Sequence, residues 1–506
     1  MASLTTTILQ DRFRGTLLGA FIGDALGAPV ELLSASDIAI DPLFAKTGVR
    51  DMVSQLQLQS WIDKAAMLGM TMTDLAASNP TRPAGHYTDD TLLLFSLAEA
   101  IIASNGNPPD NATAASCAVA AWRENEKSSL AGLRGFGSGT QQVIEALAAG
   151  TVSPDTSGTM ARPEGSNRNG GPMRIAPIGL IFANRDLNDM EVVKELRMAV
   201  TEAIRATHDN AEAVDGAVAV AYVVARAASS MDFNEMKADG RKLLTFLATE
   251  VCVTESCRRI FATLAEKWTI VETSTTFDWN CTEHALDVAT LNAAGVSFPG
   301  DGFTAIGGAA TAIWMALKYG ENVEEAMVRS IALGGDTDTL CCMCGAIVGA
   351  GHGWDSGRKF PATWVAALEN GSRGRDFALA LADELNKSVT KANLEKCAET
   401  KEDGAAELSS FQVRVNIFGG GVTHPFYTVH PLDTIVEFKQ QVEIRERLQM
   451  DQWHFISEGQ ILDSSRSWFS YGITSGCTSV HCVINTDTIK KSADGSYEFK
   501  NMNKKV

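Results

Sequence analysis

Thr88-Asp89-Asp90-Thr91 stands directly ahead of the apolar run Leu92-Leu93-Leu94-Phe95, and Gly334-Gly335-Asp336-Thr337-Asp338-Thr339 stands ahead of a second run from residue 340 to 350. The second segment repeats the first in altered form: carboxylates and hydroxyls crowded at the start of an apolar stretch of helical length. Thr and Asp at such places can simply cap helices, where they satisfy orphan N–H groups and meet the positive end of the dipole. Capping alone does not call for so many acids and hydroxyls in so few residues, twice over. Oxygen-only clusters at two helix starts suit hard cations, which take carboxylate and hydroxyl oxygens and avoid sulfur. Two-metal sites also share carboxylates between the ions. The pattern predicts a divalent-metal centre at these two segments, 88–91 and 334–339.

Working outward, residues 8 to about 385 read as nearly all helix. Ala- and Leu-rich periodic runs occupy 91–104, 112–126, 139–149, 190–206, 211–229, 304–319, 323–333 and 376–386, with Gly, Pro and Asn turns between them. Residues 15–33 are apolar and small, but Asp24 interrupts them and Arg14 and Glu31 flank them, which predicts a buried helix and a functional turn rather than a membrane span. Two long connections, 35–84 and 151–172, are expected to border the site, since long loops in compact domains are often functional.

From about 387 to 409 the composition turns to Lys, Glu, Asp, Ala and Ser, which predicts a linker. The period then changes. Phe411-Gln412-Val413-Arg414-Val415-Asn416-Ile417 alternates strictly, Gly419-Gly420-Gly421 turns, and Phe426-Tyr427-Thr428-Val429 resumes extended structure. Asp433-Thr434-Ile435 opens a helix, and further short strands follow around 453–456 and 479–484. Expected boundaries are 8–386, a linker over 387–409, a module over 410–487 and a tail over 488–506.

At 506 residues the chain exceeds one typical core, in keeping with two domains. With 45% hydrophobic and 21% charged residues it reads as soluble and globular. A net charge of −18 argues against a sequence-independent grip on nucleic-acid backbone. The first ten residues have neither a basic n-region nor a long apolar core, so no secretory signal is expected. Ten cysteines in a chain this long are not a disulfide framework. Cys341, Cys342 and Cys344 lie in a small-residue helix and are expected to pack as small apolar groups. Free thiols point to an intracellular, cytoplasmic or nuclear setting.

The landmarks Asp11-Arg12-Phe13-Arg14-Gly15 through Gly23-Asp24-Ala25-Leu26-Gly27-Ala28-Pro29-Val30-Glu31, Val49-Arg50-Asp51-Met52, Gly85-His86-Tyr87-Thr88-Asp89-Asp90-Thr91, Asn169-Gly170-Gly171-Pro172-Met173-Arg174, Thr207-His208 and the 334–339 block occur in that order. Together they resemble the ADP-ribosylglycohydrolase family, the group that includes the dinitrogenase reductase-activating glycohydrolase. The module over 410–486 resembles ubiquitin-like β-grasp domains through Asp433-Thr434-Ile435, Asp451-Gln452, Gly459-Gln460-Ile461-Leu462-Asp463 and Tyr471-Gly472-Ile473. The fold implied is an all-α ADP-ribosylglycohydrolase-type helical domain followed by a small α+β ubiquitin-like β-grasp domain.

The first resemblance implies one or two Mg²⁺ (or Mn²⁺) ions between the two acidic clusters, held by Thr88, Asp89, Asp90, Asp336, Asp338 and Thr339, where they could hold the distal ribose of ADP-ribose. It implies catalytic roles for Glu31, Asp89 and Asp90, with Glu31 the best further acid/base group; the alternative for Glu31 is a surface or capping glutamate. Asp24 reads either as an orienting acceptor or as a turn-tightening residue. Asn169, Gly170 and Gly171 suit diphosphate and ribose contact, because glycines allow close approach and expose N–H donors. His208 and Phe303 complete the expected substrate contacts, against the alternative that His208 is structural; Arg174 is expected to orient its loop. The expected substrate is an ADP-ribosylated protein or an ADP-ribose-containing small molecule. The second resemblance implies docking of a ubiquitin-receptor-type protein through Phe418, Ile456 and Val483, against the alternative that one or more of these is core or an isolated surface apolar residue. No diglycine ends the chain, so a conjugated modifier is not expected. Two functions of different class follow: a metal-dependent hydrolase removing ADP-ribose from an acceptor, and a catalytically weak ADP-ribose-binding adaptor.

Overall fold

The computed structural model describes residues 2–44, 50–67, 82–128, 131–229, 233–269, 277, 279, 281–296, 301–357 and 359–403, together with the strands and three helical residues of the C-terminal module. The chain divides into two units, Leu9–Asn393 and a second formed by Leu394–Val506 with Met1–Ile8.

The larger unit is helical. Its principal helices are α1 (Ala2–Gly27), α2 (Asp89–Ala103), α3 (Asn111–Glu126), α4 (Met190–Ile204), α5 (Ala211–Ser229), α6 (Ala305–Tyr319), α7 (Val323–Ile331), α8 (Thr337–His352) and α9 (Arg375–Asp403). Among its described residues the only extended pairings are two isolated bridges, Ser34 with Gly334 and Arg168 with Thr304. α5, α6 and α8 pack on one another at the centre. Every residue of α6 is buried, as is all of α8 up to Gly351. Helices apolar all round belong in a core, and small residues let them approach closely. Cys341, Cys342 and Cys344 are wholly buried in α8, packed as expected.

α1 and α8 approach each other closely. Gly15, Gly19, Gly23 and Gly27 recur at a spacing of four, and a Cβ on each would fall 2.0 to 2.3 Å from the backbone oxygen of Gly349, Gly345, Cys341 or Thr337 respectively. Gly345 and Gly349 meet Gly19 and Gly15 in the same way. One glycine row therefore lies directly against the backbone of its partner over about three turns. Only glycine permits that approach, and it brings the turn after α1 to the start of α8.

The amphipathic helix Glu255–Lys267 and the helices Ala176–Ile181 and Thr282–Ala293 were not among the periodic runs read from the sequence. In the first, Cys257, Ile260, Phe261, Leu264 and Ala265 face inward at helical spacing, a pattern obscured by its many charges. The connection 35–84 contains the short helices Ala35–Ile40 and Gln59–Met67, with Arg50 paired to Glu324 and Glu325 at 2.5 Å. α9 continues through 387 to Asp403.

In the smaller unit, β1 (Phe411–Ile417), β2 (Phe426–Val429), β3 (His454–Ser457), β4 (Gln460–Leu462) and β5 (Cys477–Val483) form a sheet of order β2-β1-β5-β3-β4. β1 pairs parallel with β5 and antiparallel with β2. The parallel pair needs a long crossover, and Ile435 and Phe438, helical and wholly buried, lie within it. This is a β-grasp arrangement. The register pairs His454 with Val483 and Ile456 with His481, so positions 456 and 483 share one face. Phe418 lies outside the described residues.

Candidate functional site

The site begins with a buried carboxylate. Asp24, with no solvent exposure, accepts from the Thr88 N–H at 3.0 Å, the Thr91 N–H at 3.0 Å and Thr91 Oγ1 at 2.6 Å. It thereby ties α1 to the first turn of α2. Thr88 caps that helix and its hydroxyl donates to Asp90 Oδ2 at 3.0 Å. The Asp89 N–H donates to the Arg134 carbonyl at 2.6 Å, and Arg134 in turn holds Tyr87 O and Glu369. Two acids are thus held at one helix start.

The second half comes from the 334–339 turn. Gly334 and Gly335 adopt φ +73° and +81°, a region that favours glycine. Gly335 pairs with the chain after Glu31, its N–H donating to Leu33 O and its carbonyl accepting from Leu32 N–H, both at 2.8 Å. Leu32 is held at φ +70°, an uncommon conformation for a leucine next to a candidate catalytic residue. Thr337 Oγ1 donates to Gly27 O at 2.8 Å. The result places carboxylate oxygens of Glu31, Asp336 and Asp338 within 4.8 Å of one another. Thr339 is buried beside them, and its N–H donates to Asp338 Oδ1 at 2.9 Å.

Crowding shapes the electrostatics. Burial, then the Asp338 charge, push Asp89, Asp90 and Asp336 far above the ordinary carboxylate range. Asp338 is raised by burial against the pull of Arg82. Burial and Asp338 push Glu31 up to about 7, with Arg82 opposing. Asp90 Oδ1 is buried with no hydrogen-bond partner. Mutually repelling carboxylates with an orphaned buried oxygen form an all-oxygen donor set that fits a hard divalent cation. A second gathering, Asp215, Cys252 and Cys257, differs: the Asp215 carboxylate is already engaged by Arg197, Val253 N–H and Thr254.

The 169–174 loop lies alongside. Asn169 Nδ2 donates to Asp336 Oδ2 at 2.6 Å and to Gly302 O at 2.8 Å, so both its donors orient protein groups. The Asn169 N–H donates to Phe303 O at 3.2 Å, which brings the half-buried Phe303 turn to the site. Gly170 lies against the His208 ring, where a Cβ would fall 2.7 Å from Cε1, and Gly171 lies against Ile204. His208 is 2% exposed, and its Nδ1 meets Thr207 Oγ1 at 2.8 Å. Burial, reinforced by Arg174 and Arg162, lowers its pKa to about 3. Arg174 donates to Thr207 Oγ1 at 2.6 Å and keeps Nη1 unpartnered. Burial pulls Arg174 down to about 10.

Arg82 was not singled out by the sequence. Its Nη1 reaches Glu31 Oε2 at 2.5 Å, Ala28 O at 3.1 Å and Asp338 Oδ2 at 3.7 Å. A basic residue six positions ahead of Thr88 was a weak signal, because nothing nearby in the chain marks its partners.

A helical domain with an acidic, oxygen-lined centre fed by two helix starts is the class of protein this geometry defines. The ADP-ribosylglycohydrolase family model matches residues 5–394, and the chain belongs to that family of glycosidases acting on ADP-ribosylated substrates. Residues 412–487 match the ubiquitin family and form a ubiquitin family domain. ADP-ribosylhydrolase ARH3 of Homo sapiens is 25% identical over 406 residues, covering 75% of this chain and 94% of that protein. ARH3 of Danio rerio is 26% identical over 400 residues, covering 74% and 91%. An uncharacterized protein of Archaeoglobus fulgidus is 28% identical over 385 residues, covering 74% and 96%. Among solved structures, a chain titled "ADP-ribosylglycohydrolase-related protein complex" is 25% identical, covering 76% of this chain and 99% of its own, with a TM-score of 0.48. No helix among the described residues is long and apolar enough to cross a membrane.

Proposed function

We propose that the chain is a divalent-metal-dependent hydrolase that cleaves the bond between the distal ribose of ADP-ribose and an acceptor. The observation that carries the reading is the orphaned, buried Asp90 Oδ1 in a cluster of mutually repelling carboxylates. Thr88, Asp89, Asp90, Asp336, Asp338 and Thr339 would hold the ions, two Mg²⁺ in this reading, with Mn²⁺ able to replace them. When bound, the ions supply positive charge that offsets the acids and a template for the vicinal ribose hydroxyls.

The chain's own groups do the rest. Asp24 orients the first acidic turn, and Asn169 orients Asp336. Glu31, held by Arg82 beside Asp336 and Asp338, is the chain's own group that would take up and return a proton. Carboxylates near an oxocarbenium-like centre stabilise its charge. Gly170 and Gly171 offer backbone N–H groups to the diphosphate, with His208 and Phe303 lining the rest. The ubiquitin family domain recruits a protein partner through the 456/483 face.

The test is release of free ADP-ribose from a panel of defined ADP-ribosylated substrates. Release in Mg²⁺ or Mn²⁺ that stops with chelator is expected. Binding of ADP-ribose without release from any substrate would instead identify a reader.

A further inference from the structure

We propose that Arg82 is an internal counter-cation that positions Glu31 and weakens divalent-ion binding at the Glu31, Asp336 and Asp338 cluster. The inference rests on the metal-dependent reading above and deepens it.

Three acceptors from two distant parts of the chain converge on one nitrogen. Nη1 donates to Glu31 Oε2 at 2.5 Å and to Ala28 O at 3.1 Å, and it lies 3.7 Å from Asp338 Oδ2. The backbone is held as well, since Arg82 O accepts from Gln55 N–H at 3.1 Å. Room for the guanidinium is built in: Gly135 has φ +69°, and a Cβ there would fall 2.3 Å from Nη2. The side chain is only 14% exposed. An arginine carries its charge at any accessible pH and presents a rigid planar fork. Held this way it fixes one oxygen of Glu31 beside Asp338. It also places a permanent positive charge where a divalent ion would share the same carboxylates, and the two cations repel. Arg82 therefore trades ion affinity for the position of Glu31.

The two roles separate by experiment. Mn²⁺ titration calorimetry and steady-state release of ADP-ribose are measured on wild type, Arg82→Gln and Arg82→Lys. Removing the charge in Arg82→Gln is expected to tighten Mn²⁺ by about tenfold. The same variant should lose about tenfold or more in kcat, with KM little changed. Arg82→Lys keeps the charge and a single donating nitrogen, and Nη1 alone makes the contacts of Arg82, so it should bind Mn²⁺ within about twofold of wild type and recover most of kcat. A purely structural tether predicts no tightening. Unchanged or weaker Mn²⁺ binding in Arg82→Gln, in protein whose melting in chelator matches wild type, overturns the counter-cation. Wild-type kcat in Arg82→Gln overturns the positioning role, and so does an Arg82→Lys protein with wild-type Mn²⁺ affinity whose kcat is lowered about tenfold, a result that stands even if Arg82→Gln does not fold. If wild-type protein releases ADP-ribose from nothing, the hydrolase reading fails, and the titration still decides the counter-cation.

Discussion

Thr91 Oγ1 donates to Asp24 Oδ2 at 2.6 Å across 67 residues of chain, and both residues are fully buried. The same carboxylate takes the backbone N–H groups of Thr88 and Thr91. Asp24→Asn offers only one acceptor oxygen to those donors and turns an NH₂ toward them. Each orphaned buried donor costs about 1–3 kcal/mol. Chemical denaturation should show a loss in that range, and divalent-ion affinity should fall because the acids of α2 are no longer held. An Asp24→Asn protein as stable as wild type would make the contact incidental.

Asp336→Ala and Asp338→Ala should fold, since each relieves crowding among buried acids while orphaning a single close donor, Asn169 Nδ2 in the first and the Thr339 N–H in the second. In chelator each should lose no more than the cost of one orphaned donor, about 1–3 kcal/mol. Saturating metal at a hundred times its Kd stabilises a single-site protein by about 2.7 kcal/mol, and that rise should disappear in both variants. Thermal melts with and without Mg²⁺ or Mn²⁺ decide the matter, and a full metal-induced rise in either variant removes that residue from the ligand set.

Glu31→Gln keeps the shape of the turn and removes the proton-transfer group. Turnover should drop by roughly 10²-fold or more, while binding of free ADP-ribose persists by calorimetry. Near-normal kcat would make Glu31 a structural residue of the Leu32 turn.

His208 supplies a pH dependence. Its folded pKa, about 3, lies below the ordinary 6.5, so the neutral ring's contribution to stability is complete above about 6.5 and is lost as pH falls toward 3. Linkage makes the loss between pH 7 and pH 5 about 2 kcal/mol. Denaturation curves at the two pH values should show it, and His208→Gln should remove that part of the difference. Equal acid sensitivity in the variant would mean that the ring is not held neutral.

A chain ending after Asp403 should fold and retain hydrolysis of a free small-molecule substrate, because the compact unit Leu9–Asn393 contains both acidic clusters. Residues 408–487 should fold alone as a β-grasp. Ile456→Ala should weaken capture of ubiquitin-receptor-type proteins without changing turnover. A truncated enzyme that is insoluble or inactive would mean that the two units depend on each other.

The acids were legible from the chain because they sit in short, dense clusters at the starts of apolar runs, and Glu31 because it closes a glycine-rich turn. Their supports were not. Arg82 finds Glu31 51 residues back, Asn169 finds Asp336 167 residues on, and Arg134 finds Glu369 235 residues on. Pairing at such separations depends on helix packing, which periodicity does not encode. The helix Glu255–Lys267 escaped for a different reason: its apolar stripe is narrow among charges. The β-grasp was legible because alternation in 411–417 is a period-two signal of unusual strictness.

The glycine row of α1 also has a consequence for synthesis. Its partners, Cys341, Gly345 and Gly349, leave the ribosome more than 300 residues later, an interval on the order of tens of seconds at ordinary elongation rates. Throughout that time the buried stretch of the first helix from Gly15 to Gly27 has no seat, and the first acidic turn has no second half. Nascent chains of this protein should therefore depend on chaperones until α8 emerges, and the catalytic centre is among the last features of the helical unit to form.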